Sequence, residues 1–203
     1  MRIVSGSVGG RTLVSPTTEG VRPTKDRVRE ALFNSLSSHG WVVDRSFIDL
    51  FAGSGALGLE ALSRGASSCL FVDRDKAAIA AVRQNVEDLA LGDRSEVNQV
   101  DGLVVARSEK QFDVALLDPP YEFELWEELL DCLSVEVIVI ESDRTIDPGP
   151  GWEILKEKRY AGTVVVIARR LSDEFARSTA NNTANTAQRD GSVPPGAQED
   201  HTS

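Results

Sequence analysis

The sequence predicts an α/β protein: a mostly parallel, seven-stranded sheet of Rossmann-like type, with a small hairpin-and-helix extension at the N-terminus. Three observations point there. From residue 46 to residue 142 short apolar runs alternate with amphipathic stretches of helical period. The runs are apolar almost throughout rather than at every second residue, as in strands covered on both faces. A glycine loop, "DLFAGSGALGLE" (residues 49–60), joins the first of these strands to the first helix.

The elements follow in order. Residues 1–14 read as a hairpin, "RIVSG" and "RTLVS" around a Gly9-Gly10 turn. After the loop "PTTEGVRP", a helix opens at Thr24 as N-cap with Asp26 in its first turn. Val28, Ala31, Leu32 and Leu36 form its apolar face, and Lys25 and Arg29 share another face. Strand and helix then alternate: "SFIDLF" (46–51), helix 55–65, "SSCLFVD" (67–73), helix 76–91, "SEVNQV" (95–100), a weak helix at 102–109, "FDVALLD" (112–118), helix 122–133, and "VEVIVIES" (135–142). "WEILKEKRY" (152–160) and "TVVVIARRL" (163–171) close the sheet as an antiparallel pair. Beyond residue 171 the chain is polar and almost free of apolar side chains, so residues 172–203 are expected to be a disordered tail. This divides the chain into an N-terminal extension (1–40), a main domain (41–171) and the tail.

Bulk properties narrow the function classes. With 203 residues, 41% hydrophobic and 27% charged, the chain has the balance of a soluble globular protein. No apolar run approaches the roughly 20 residues that span a bilayer, and the start lacks the apolar centre of a signal peptide. A cytoplasmic location is expected. Cys69 and Cys132 form no CxxC pair and read as reduced core thiols, so neither a disulfide framework nor a metal site is expected. His39 and His201 are too far apart in sequence to suggest a histidine mechanism. The net charge of −10 is unevenly spread. Residues 1–30 carry six basic side chains (Arg2, Arg11, Arg22, Lys25, Arg27, Arg29) against three acidic ones, while the other 173 residues hold 16 basic and 29 acidic. A local basic patch governs phosphate contact more than the total does.

Gly53, Gly55 and Gly58 fit GxGxxG, a loop that lets backbone approach a ligand beside free helix N–H groups. Asp73 ends the second strand, 20 residues after Gly53, where an acid commonly takes a pair of ribose hydroxyls. That fingerprint suits a dinucleotide or S-adenosylmethionine, or glycines kept for packing alone. Asp49, a carboxylate just before the loop, suits the ammonium of a methionine tail and would repel a pyrophosphate. It shifts the balance to adenosylmethionine. Asp101, after the third strand, is placed to accept from an adenine amino group.

The fourth strand stops at Asp118-Pro119-Pro120-Tyr121. Two prolines remove two donors and stiffen the segment, so it presents carbonyls outward. The Asp118 carboxylate and the Pro119 carbonyl can each accept one hydrogen of a planar aromatic amine, and Tyr121 can stack on its ring. Such acceptors favour a pyramidal nitrogen whose lone pair can attack a methyl sulfonium, so positioning and electrostatics suffice without a strong base. A plain Pro-Pro turn with Tyr121 as a packing residue is the alternative.

With these stretches the sequence resembles the bacterial 16S rRNA guanine-N2 methyltransferase family associated with guanine 966. "MRIVSGSVGGRTL", "RPTKDRVREALFNSL", "DLFAGSGALGLEALSRGA", "FVDRD" and "LLDPPY" carry the resemblance across residues 1–121. The glycine loop and DPPY mark amino-group methyltransferases in general, and "RPTKDRVREALFN" points to this family. The resemblance implies a class I adenosylmethionine-dependent fold and methyl transfer to the 2-amino group of a guanine in 16S rRNA, within the small subunit or an assembly intermediate. It implies Asp49, Gly53 and Gly55 at the methionine end of the cofactor, with Phe51 beside them. Asp73 falls at the ribose and Asp101 at the adenine, Arg74 and Gly102 are further cofactor-binding candidates, and Asp118 to Tyr121 form the catalytic loop. Arg2, Arg11, Arg22, Lys25, Arg27 and Arg29 would contact RNA phosphates. A monomer without metal or membrane is expected. One departure is "RYAGT": the family has a Tyr-Gly-Asp-Thr-like segment, and Tyr160 to Thr163 carry no aspartate. A DNA adenine-N6 methyltransferase or a protein-glutamine methyltransferase would use related chemistry. The first normally needs a larger recognition segment, and the second more often carries Asn in place of Asp118.

Overall fold

The computed structural model describes residues 1–16, 23–108 and 110–171, with the side chains of residues 23–25 left out. Arg22 and the tail at 172–203 therefore lie outside the described residues. Met1 to Arg170 form one compact unit.

Seven strands form one sheet in the order β3-β2-β1-β4-β5-β7-β6. They are β1 (Ser46–Leu50), β2 (Ser68–Asp73), β3 (Ser95–Gln99), β4 (Phe112–Leu117), β5 (Val135–Ser142), β6 (Trp152–Tyr160) and β7 (Thr163–Arg170). The first five strands pair in parallel, and β7 runs antiparallel between β5 and β6. This is the mostly parallel seven-stranded sheet the sequence predicts. The chain winds outward from β1 to β3, then crosses back to β4 beside β1. The strand order reverses between β1 and β4, where open α/β sheets hold their ligands.

Among the described residues five α-helices cover the sheet: α1 (Pro23–Ser38), α2 (Ala56–Ser63), α3 (Lys76–Asp88), α4 (Gly102–Ala106) and α5 (Trp126–Cys132). Alternation along the strands divides the core in two. Phe47, Phe71, Leu116 and Val139 pack with Leu32, Leu59 and Val82 of α1, α2 and α3. Ile48, Leu50, Val72, Leu117 and Ile140 pack with Ala106, Trp126 and Leu129 of α4 and α5. Helix α1 starts at Pro23, ahead of the expected Thr24 cap, since proline fits the first helical position without losing a needed N–H. Helix α3 stops at Asp88 rather than residue 91, because the chain turns through a left-handed Ala90 (φ 54°).

The larger difference concerns residues 122–125, expected in α5. They form a turn, closed by the Phe123 N–H on the Pro120 carbonyl (2.9 Å). The Phe123 ring packs edge-on against Phe51 (5.1 Å) and Trp126 (5.2 Å). That tertiary contact outweighs the local helical period.

Residues 1–14 fold back on themselves through Ile3 N–H to Arg11 (2.9 Å) and Gly10 N–H to Ile3 (2.8 Å). This arm docks on α2 and α3. Glu60 of α2, fully buried, accepts from the Val4 (2.7 Å) and Ser5 (3.1 Å) amides. Gly6 (φ 90°) sits so close to α2 that a Cβ would lie 2.0 Å from the Ser63 carbonyl oxygen. Asn85 of α3 accepts the Val14 N–H (2.7 Å) and donates to both the Val14 and Ser54 carbonyls (2.9 Å each).

Candidate active site

A cleft of about 790 Å³ opens at the C-terminal ends of the parallel strands. Its walls include Phe51, Gly53, Asp73, Arg74, Asp101, Gly102 and the whole Asp118–Tyr121 segment, so ten of the twelve cofactor and catalytic residues marked in the sequence share it with Leu103 of α4. Each parallel strand ends near an acid: Asp49 in β1, Asp73 in β2, Asp101 after β3, Asp118 after β4 and Glu141 in β5.

The glycine loop is held by its acids. Asp73 accepts the Gly53 N–H on one oxygen (2.9 Å) and the Asp75 N–H on the other (2.9 Å). Each oxygen keeps a second lone pair for a ligand hydroxyl. Asp101 caps α4 through the Leu103 N–H (2.9 Å) and stands exposed at the cleft. Phe51 adopts φ 72°, and its N–H and that of Ala52 both donate to the Val72 carbonyl (3.0 Å each). A left-handed non-glycine residue costs on the order of 1–3 kcal/mol and survives only where its surroundings fix it. Here the bend turns the ring into the cleft, over Gly102.

Two of the twelve are set back from the cleft surface. Asp49 and Gly55 do not line the cleft. Asp49 is 1% exposed and accepts the Gly58 N–H (2.9 Å), tying β1 to α2. Burial pushes its carboxyl up to about 7; the Gly58 bond opposes that, and nearby Asp118 and Asp73 add to it. Burial, then the adjacent Asp49, likewise pushes up the Cys69 thiol. Gly55 caps α2 in a left-handed conformation (φ 77°) against Leu59, Val82 and Phe71. Gly58 permits the close approach of α2 to β2: a Cβ there would lie 2.4 Å from the Phe71 ring and 2.6 Å from Cys69 Sγ.

Pro119 is buried, Asp118 half-buried, and Tyr121 58% exposed with its ring at the cleft mouth. The Arg144 guanidinium donates to the Tyr121 (3.3 Å) and Phe123 (3.4 Å) carbonyls and steadies the segment. Sequence reasoning missed Phe123 and its neighbours because they read as helix. It also missed Glu141 and Thr163, which line the far side of the cleft. Glu141 carried a usable signal, an acid closing an apolar strand, the same that marked Asp73 and Asp118.

Six acids (Asp73, Asp101, Asp118, Glu122, Glu124, Glu141) and one cation (Arg74) line the cleft. Such a surface repels a pyrophosphate and concentrates a cation. Among the basic residues of the N-terminal region, Arg2, Arg11 and Arg27 are exposed. Arg29 is not available for phosphate: it is 4% exposed, bonds Asp26 (2.9 Å) and the Arg2 carbonyl, and lies 3.6 Å from Glu60. The Lys25 side chain lies outside the described residues.

The family described as Conserved hypothetical protein 95 matches residues 1–169. The chain is 34% identical over 184 residues to ribosomal RNA small subunit methyltransferase D of Haemophilus influenzae, covering 84% of this chain and 92% of that protein. The solved structure of yhhF from Escherichia coli superposes with a TM-score of 0.75 at 32% identity, covering 85% of this chain and 99% of that one. Magnesium protoporphyrin IX methyltransferase from Synechocystis, solved with bound SAM, shares the fold at a TM-score of 0.59 and 14% identity, over 76% of this chain and 87% of that one.

Proposed function

The chain belongs to the family described as Conserved hypothetical protein 95, that of ribosomal RNA small subunit methyltransferase D, and on that premise we propose that it transfers the methyl group of S-adenosylmethionine to the exocyclic N2 amine of a guanine in 16S rRNA. The observation that carries this reading is the joining of an acid-lined, glycine-floored cleft to DPPY at the strand crossover.

The donor set fits the cofactor. Asp73 accepts from the ribose hydroxyls, Asp101 accepts from the adenine amino group, and Phe51 and Gly102 flank the base. The acidic walls favour the cationic methionine end, with Asp49 contributing from behind the loop rather than by contact. Bound adenosylmethionine supplies an activated methyl on a sulfonium.

Asp118 and the Pro119 carbonyl accept the two N2 hydrogens and free the nitrogen lone pair for attack. The N–C bond forms as the C–S bond breaks, and the surplus N2 proton leaves along the Asp118 hydrogen bond. The exposed Tyr121 face stacks on the flipped base. Unstacking the target costs roughly a few kcal/mol. Phosphate contacts from Arg2 and Arg11 on the N-terminal arm and Arg27 on α1 offset that cost and make binding weaken steeply with salt.

The test is methyl transfer from labelled adenosylmethionine to small subunits lacking the modification, followed by digestion to nucleosides. Labelled N2-methylguanosine, lost in Asp118→Ala, is the expected result. Label in N6-methyladenosine or in protein overturns the assignment.

A further inference from the structure

Two walls of the cleft have no part in the chemistry above. Glu141 and Thr163 line it together with Asp118 to Tyr121. Strand register places them in a row. In the parallel β4–β5 pair Leu117 stands beside Ile140, so the next residues, Asp118 and Glu141, are lateral neighbours. On the other side of β5, Glu141 stands opposite Val165 of β7, and Thr163 opens β7 two residues earlier. Asp118, Glu141 and Thr163 thus mark three adjacent strands at one end of the sheet, and all three are half-buried at the cleft.

The row runs acceptor, acceptor, hydroxyl. The Watson–Crick edge of guanine runs N2–H, N1–H, O6: donor, donor, acceptor. Resting on the proposed guanine-N2 reading, we propose that Glu141 and Thr163 select the base: the Glu141 carboxylate accepts the N1–H and the Thr163 hydroxyl donates to O6, while Asp118 holds the N2 amine. Adenine turns an N1 lone pair towards Glu141, so a carboxylate meets a lone pair and that bond is lost, whereas the Thr163 hydroxyl can rotate to accept from the 6-amino group; rejection of adenine falls on Glu141 and on the missing N2 amine at Asp118. A partly buried site built to hydrogen-bond a substrate N–H rejects an analogue without it far more strongly than an apolar pocket rejects a missing methylene.

2-Aminopurine separates selection from catalysis. It keeps the N2 amine, but its N1 carries a lone pair and it has no O6. Small subunits reconstituted with either guanosine or 2-aminopurine riboside at the target position are methylated by the full chain, and kcat/KM is compared. The wild type is expected to prefer guanosine by about 100-fold or more, in line with the loss of two specific base contacts. Glu141→Gln narrows the ratio to about tenfold or less, mostly by gaining on 2-aminopurine, because a carboxamide can donate to the N1 lone pair. Thr163→Val narrows it by losing on guanosine. Cofactor affinity, read by calorimetry, stays within about twofold in both variants. Equal loss on both substrates in Glu141→Gln, or no wild-type preference, overturns the proposal while leaving guanine-N2 transfer intact. A wild type that binds cofactor but labels no guanosine overturns the underlying function as well.

Discussion

Asp49→Asn tests whether the loop acid carries its burial as a cost. In the folded protein this carboxyl is raised from 3.8 to about 7, chiefly by desolvation. Below pH 3.8 both folded and unfolded chains hold the proton, and burial of the neutral acid costs little. As pH rises from 3.8 towards 7 the unfolded chain releases the proton and the folded chain keeps it, so stability falls. Above 7 both are ionised and the loss is complete. Each pKa unit is worth about 1.4 kcal/mol, so roughly three units give on the order of 4 kcal/mol. Asparagine does not titrate, and its carbonyl can still accept the Gly58 N–H that Asp49 Oδ2 takes now. A fixed offset from its amide leaves the slope unchanged. Urea unfolding of both proteins at steps from pH 4 to 8.5 gives the difference in stability, in which other titrating groups cancel. That difference is expected to move by about 4 kcal/mol in favour of asparagine across the range. A difference flat to within about 1 kcal/mol would refute the reasoning.

The arm and the loop give further outcomes. Glu60→Ala leaves the buried Arg29 and the Val4 and Ser5 amides without their carboxylate, at a cost of about 3–5 kcal/mol in urea unfolding. Limited proteolysis should then cut within residues 1–16. Gly58→Ala drives a Cβ to 2.4 Å from the Phe71 ring and destabilises by about 1–3 kcal/mol or more, read from the thermal midpoint. Arg27→Ala reduces the salt slope of RNA binding by about 1 with folding unchanged, whereas Arg29→Ala lowers stability first, because Arg29 is buried in ion pairs. Ala161→Gly relieves a left-handed residue (φ 52°) in the β6–β7 turn and raises stability by about 0.5–1 kcal/mol, after the extra chain entropy of glycine is subtracted.

What the sequence disclosed depended on whether the signal was local. Apolar strands closed by an acid are local, and Asp73, Asp101 and Asp118 all lie at the cleft. GxGxxG is local too, but its three glycines have different work. Gly53 lines the cleft, while Gly55 and Gly58 make room for Phe71. A motif fixes that glycines are needed without saying which neighbour demands each. Arg29 has the helical spacing of a surface cation, yet the arm folds over it and Glu60 comes up beneath it. That arrangement joins residues 2, 29 and 60, and no window of sequence spans it. "EFELWEELL" has a helical period, but the ring of Phe51, about 70 residues earlier, and the Arg144 guanidinium, about 20 later, hold Phe123 out of the helix. Glu141 closes a parallel strand as the other acids do, whereas Thr163 required the antiparallel return of β7 beside β5, a pairing the sequence does not disclose.

The two charge regimes of the chain fit the two ligands of the proposed reaction, and the structure keeps them apart mechanically as well as electrostatically. A cation belongs in the cleft with six acids, and a polyanion belongs on the exposed arginines of the arm. An arm that drifted could bring RNA phosphates against the acidic walls, where repulsion would oppose binding. Buried polar contacts hold the arm in place. Glu60 clamps its first residues to α2, and Asn85 grips Val14 while its amide also holds the Ser54 carbonyl in the glycine loop. The Glu60 and Asn85 side chains are themselves buried, so breaking one of these contacts leaves a buried polar group short of a partner, at about 1–3 kcal/mol. A polar staple of this kind fixes position more sharply than apolar packing, because its partners cannot slide. In the proposed reaction, RNA on the arm would be presented at a set offset from the glycine loop, and the net charge of −10 would be no obstacle, because the charge is unevenly spread.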